Sequence, residues 1–143
     1  MRFMMFMIPA GYQGARGQEL NPVFDAPDDA AAKMVAYNEE LTNAGLVLAM
    51  DGLTHPTHGT RVTFDGGSAV ATDGPFAESK EVVGGYWIIQ TKSKEEAVDW
   101  AKRVPVVEPG DVIELRQIFD FEDYPENLQE AIEEARTRTG NSQ

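Results

Sequence analysis

Two stretches of the chain are apolar at nearly every position. After Arg2 the first runs through Phe3, Met4, Met5, Phe6, Met7 and Ile8; the second, Gly85 to Thr91, sets Tyr86 and Ile88 on one side and Trp87 and Ile89 on the other. A strand that is apolar on both sides is central in its sheet and covered on both faces. A third strand, Val112 to Phe119, alternates Val112, Glu114, Arg116 and Ile118 with Ile113, Leu115, Gln117 and Phe119. The second set is the more apolar, so it should meet the helices. Between these strands the period changes to that of a helix. Met34, Tyr37, Leu41 and Ala44 recur at helical spacing behind a start at Asp25, Pro27 and Asp28, with Gly45 as the stop. Ser93 to Glu96 reads as a capping box before an inner stripe of Ala97, Trp100 and Ala101, and Val104-Pro105 ends that helix. Pro125 opens a last helix with Leu128, Ile132 and Ala135 on one side.

The intervening segments complete the order. Leu46 to Met50 is a short strand, and Asp65-Gly66-Gly67 joins Arg61–Phe64 to Ser68–Thr72 as a hairpin. Pro9 to Asp25, Asp51 to Gly59 and Val106 to Gly110 read as loops. The resulting β, α, β, hairpin, β, α, β, α order predicts an α+β domain with a split βαβ plan and an inserted hairpin. In that plan the first and third main strands are central, as their two-sided apolar character requires. One sheet face meets the helices. The other would leave a larger apolar patch than a monomer tolerates, and a second copy of the chain packed on it resolves the conflict, which predicts a homodimer.

Composition narrows the partners. The 143 residues suit one domain. A formal charge of -12 excludes nucleic acid and anionic membrane as expected partners, since both attract positive surfaces. Cysteine is absent, which removes disulfides, thiol nucleophiles and thiolate metal sites and fits a cytoplasmic protein. The apolar run before Pro9 is too short for a secretory signal or a membrane span.

The most distinctive stretch is Thr72-Asp73-Gly74-Pro75-Phe76-Ala77-Glu78-Ser79-Lys80-Glu81, followed by Val82-Val83-Gly84-Gly85-Tyr86-Trp87. It starts as a rigid turn, is dense in ionisable groups, and exceeds a plain connector in length. The run DGPFAESKE with GGYWII behind it closely resembles the signature of DGPF-type proteins of the YCII-related family. Phe3–Met7, Asn43-Ala44-Gly45 through Asp51-Gly52-Leu53, and Glu114-Leu115-Arg116 extend the resemblance over roughly residues 1–119. It implies a ferredoxin-like domain (1–120) that pairs as a dimeric α+β barrel, with residues 121–143 as a helical extension of the same domain.

Candidate chemistry falls in three places. Glu114 and Arg116 would face the space between the two sheets of the dimer, either lining a pocket with Asp73 and Arg61 near its mouth or pairing across subunits. In the signature loop Asp73 is either a cap for the Gly-Pro-Phe amides or a general base, and Phe76 is an anchor for the loop. Glu78, Lys80 and Glu81 either close over a ligand or form a solvated surface. His55 and His58 flank Pro56 near Asp51, a metal-site composition without a firm third ligand, so a surface loop is the expectation and no metal or other cofactor is assigned. Some YCII-related proteins carry a His on the first helix and an Asp before the Pro that ends the second. Here the first helix has no His and Val104 precedes Pro105, so neither residue is carried over. No Ser/His/Asp arrangement, Walker loop or dinucleotide fingerprint is present.

Three functional readings remain. The first is a dimeric protein binding a small, anionic molecule in the inter-sheet cleft beside the signature loop. The second is a non-catalytic accessory or regulatory module whose acidic surface takes a protein partner. The resemblance connects such modules with extracytoplasmic-function sigma factors. The third, an isomerase- or dehydrochlorinase-like enzyme as in some relatives, is the weakest.

Overall fold

The computed structural model describes residues 1–13, 28–76 and 81–140. In chain order its elements are β1 (Arg2–Ile8), α1 (Asp28–Asn43), β2 (Val47–Gly52), β3 (Thr60–Asp65), β4 (Ser68–Asp73), β5 (Gly85–Gln90), α2 (Lys94–Ala101), β6 (Val112–Gln117) and α3 (Glu126–Thr139). Single 3-10 turns lie at Ala10–Tyr12, Pro56–His58 and Phe121–Asp123.

Four strands form an antiparallel sheet in the order β2-β5-β1-β6, and β3 and β4 form a separate antiparallel pair. The two strands with apolar residues on both faces, β1 and β5, are the central ones. Among the described residues the sheet does not close into a barrel. β2 and β6 are its edges.

The pleat sorts the side chains into two faces. On one, Phe3, Met5, Trp87 and Ile89 are buried together with Tyr37 and Leu41 of α1, Ala97 of α2, and Val104. Met34, Trp100, Ile113 and Leu115 pack around that cluster. Burying each of the large side chains contributes about 1.5–3 kcal/mol. Polar groups at the rim are satisfied: the Tyr37 hydroxyl donates to the Trp100 carbonyl (3.0 Å) and the Trp87 indole N–H to Asn38 Oδ1 (2.8 Å). Arg103 lies over the Trp100 ring and pairs with Glu40, tying α2 to α1.

Several expectations are corrected at element ends. Ala44 is exposed, because α1 stops at Asn43 and the chain turns at Gly45 (φ 74°). Asp25 and Pro27 lie outside the described residues. Ser93 accepts from the Glu96 amide (3.1 Å), but the Glu96 carboxylate reaches past Ser93 to accept from the Lys92 amide (2.7 Å), so the cap of α2 is a variant of the box. β6 ends at Gln117, beyond which Phe119 leaves the core face and lies exposed against the Tyr124 ring (5.2 Å between centroids). On α3, Ile132 is half-buried while Leu128 and Ala135 remain exposed. The hairpin turns on Gly66 and Gly67, both at positive φ (54° and 85°), the requirement of the turn whose twist matches two antiparallel strands.

Candidate functional site

Four segments meet at one end of the main sheet. Gly84 donates its amide to the Met7 carbonyl (2.8 Å) and its carbonyl accepts from Leu53 (2.9 Å), which joins β1, the segment after β2 and the segment before β5. The Gln13 side chain clamps Val82 from both sides: its Oε1 accepts from the Val82 amide (3.0 Å) and its Nε2 donates to the Val82 carbonyl (3.2 Å) and to Pro9 (2.7 Å). The Gly74 amide donates to the Gly59 carbonyl (2.8 Å), holding the end of the hairpin against its beginning. The peptide bond Gly74-Pro75 is cis.

Within this junction Arg61 and Phe76 are brought together. The Arg61 guanidinium carbon sits 4.0 Å above the Phe76 ring centroid, a contact worth about 0.5–1 kcal/mol at an exposed site. Among the described residues Arg61 has no ion pair. Asp73 is the last residue of β4, and its Oδ1 accepts from the Thr60 hydroxyl across the hairpin (2.7 Å). That bond replaces the expected cap on the Gly-Pro-Phe amides, because as a strand residue Asp73 faces its cross-strand neighbour Thr60. Glu81 is exposed, and Glu78 and Lys80 lie outside the described residues.

His55 departs from the expected surface loop. It is only 6 % exposed, and its ring packs edge-on to Tyr12 (centroids 5.2 Å, planes 72° apart). His58 is exposed, and among the described residues no three His or acidic groups gather as a metal site. Nothing in the sequence around His55 signals burial, since the covering ring, Tyr12, comes from the 3-10 turn after β1.

The second group of candidates lies elsewhere. The sheet face opposite the helices presents Met4 and Phe6 of β1 and Tyr86 and Ile88 of β5, all half-buried. Register places Arg116 beside Met4 and Glu114 beside Phe6 on β6, and Asp51 beside Tyr86 on β2. Tyr86 donates to Asp51 Oδ2 (2.9 Å), and that bond, together with the nearby negative charge, raises the phenol above its ordinary value. Neither Glu114 nor Arg116 makes an ion pair among the described residues. Glu114 and Arg116 lie on the edge strand β6, whereas Arg61 and Asp73 belong to the separate β3–β4 pair.

A residue absent from the expected set also shapes this end of the molecule. Asp111 accepts from the amides of Ala10 (2.9 Å), Val107 (2.8 Å) and Glu108 (3.1 Å), pinning the loop before β6 to the turn after β1.

An antiparallel sheet backed by two helices on one face, with an inserted hairpin before its second central strand, defines a small α+β domain. The chain belongs to the YCII-related domain family, whose sequence model matches residues 1–122. It is also 30 % identical over 75 residues to an uncharacterised protein of Rhizobium meliloti (strain 1021). That match covers 52 % of this chain and 60 % of the other.

Proposed function

We propose that two copies of this chain pack their open sheet faces together as a dimeric α+β barrel of ferredoxin-like subunits, enclosing a site for a small anionic molecule. The observation that carries this reading is the open face itself. Met4, Phe6, Tyr86 and Ile88 form its apolar centre, and Arg116 and Glu114 stand beside them without ion-pair partners among the described residues. An apolar surface of this kind is costly in water. A cation left near it favours an anionic occupant once water is displaced. The strand order β2-β5-β1-β6 supports the ferredoxin-like assignment, since it sets the first and third main strands at the centre.

Arg61 and the signature residues Asp73 and Phe76 would border the cleft from the hairpin of either subunit. Thermal-shift measurements with small mono- and dicarboxylates and inorganic phosphate test this reading. Arg116→Ala should abolish the ligand-induced shift while the dimer stays folded, and an unchanged shift in that variant counts against the site.

One observation favours a second reading, a protein-binding accessory module. α3 exposes Glu130, Glu133 and Glu134 along one side, in a chain of net charge -12, and such a surface attracts a basic partner. Recovery of the protein alone in a pull-down from lysate would weigh against it.

A further inference from the structure

We propose that the His55 Nε2–H group is the hydrogen-bond donor of a second small-ligand site, at the base of the β3–β4 hairpin, which takes an oxygen of a carboxylate or other small oxyanion. The inference stands on the geometry of a single chain and does not require the dimer.

The ring nitrogens are not equivalent. Nδ1 receives the Thr57 backbone amide (3.3 Å) and lies 2.9 Å from the Thr57 hydroxyl. A backbone N–H can only donate, so Nδ1 must offer its lone pair. A neutral imidazole then carries its proton on Nε2. That nitrogen is buried and, among the described residues, has no hydrogen-bond partner. Among the described residues it is the one buried side-chain polar atom so left. Leaving a buried donor unpaired is costly, and native structures retain few such atoms without a use for them.

The surroundings say which acceptor suits it. Phe76 presses its ring edge toward the backbone of Gly59 and Gly74, both of which abut the Pro56 carbonyl, so His55-Pro56 and the Phe76–Arg61 stack belong to one cluster. Arg61 contributes a cation with no ion pair among the described residues. An imidazole N–H donor and a guanidinium without an ion pair among the described residues, in one loop cluster, favour an oxyanion over a neutral or cationic ligand. Tyr12, the ring set against His55, is half-buried, and the proposal requires that this ring turn aside to uncover Nε2.

The two histidines make the test direct. Long-range ¹H–¹⁵N correlation on the intact protein resolves both imidazoles, and His58→Gln assigns them. We expect His55 as the Nε2–H tautomer, with a saturable shift of Nε2 when acetate or inorganic phosphate is added at millimolar concentration, and a weaker response in Arg61→Ala. His55→Phe should lose binding of the same probes, as followed by amide shifts of Gly59 and Phe76. Because the unsubstituted protein supplies the primary readout, a failure of that variant to fold leaves the test intact. A Nδ1–H tautomer, or an Nε2 that ignores both probes, overturns the proposal and reduces the contact with Tyr12 to an N–H···π packing interaction.

Discussion

Gly74→Ala is the substitution whose outcome follows most directly from the geometry. A Cβ at this position would lie 2.1 Å from the Pro56 carbonyl oxygen, 3.1 Å from its carbon and 3.3 Å from Phe76 Cε2. Pro56 is buried in a 3-10 turn, and its carbonyl already accepts from Gly59 (3.0 Å), so the obstacle is backbone that cannot swing aside. Relief requires roughly 1 Å of separation between the two ends of the hairpin. Overpacking of this sort costs about 1–3 kcal/mol. The same movement breaks the Gly74-to-Gly59 hydrogen bond, which adds about 1 kcal/mol. The total, about 2–4 kcal/mol, corresponds to a loss of roughly 5–15 °C in Tm for a chain of this size. Gly52→Ala is the matched control, because its Cβ would meet nothing within 4 Å. That change should stay within about 0.5 kcal/mol of the parent. Urea denaturation of both variants, with hydrogen exchange over residues 53–60 and 72–76, measures the difference. Equal stability of the two variants, with unchanged exchange in those segments, would refute the close approach of Gly74 to Pro56.

Other substitutions probe separate parts of the account. Leu41→Ala removes a wholly buried side chain and should cost about 2–5 kcal/mol by denaturant titration. Asp111→Ala strips three backbone amides of their acceptor and should destabilise by at least about 2 kcal/mol, with faster exchange at Ala10 and Val107. Burial pushes the Tyr37 hydroxyl from its ordinary 10.0 up to about 12, against a smaller opposing effect of Arg103. The folded state therefore holds a proton that the unfolded chain releases first. Its contribution to stability is complete below pH 10, declines above it and is lost past about pH 12, so Tyr37→Phe should show a shallower alkaline decline than the parent in urea titrations at stepped pH.

The parts of the fold that could be read from the chain are those set by local pattern. β1 and β5 announce their central places through apolar residues on both faces, and the two glycines after Asp65 mark a hairpin because few other residues accept positive φ twice in succession. The misreadings occur where a pattern was carried past the end of its element. Phe119 continues the alternation of β6 in sequence, but the strand has ended two residues earlier, and Ala44 continues the stripe of α1 after the helix has stopped. Asp73 looked like a turn residue from its neighbours, yet the ladder of the hairpin reaches it and supplies Thr60 as its partner.

The site was less legible, for a different reason. The burial of His55 depends on Tyr12, and the role of Asp111 depends on the amide of Ala10. Both partners are distant in sequence, and no periodicity records them. Arg61 and Phe76 are each candidates from sequence, but their stacking arises only when the hairpin folds back on the loop that follows it. Glu114 and Arg116 reach the expected face because strand alternation alone determines it.

The central claim is that the apolar face of the main sheet is shielded by a second copy of the chain. Sedimentation equilibrium across concentrations from micromolar upward tests it most directly, with Phe6→Lys alongside. The account predicts a species of twice the 15.7 kDa chain mass for the parent and a shift toward single chains in the variant. A well-behaved 15.7 kDa species in the parent, at concentrations far above micromolar, would contradict it.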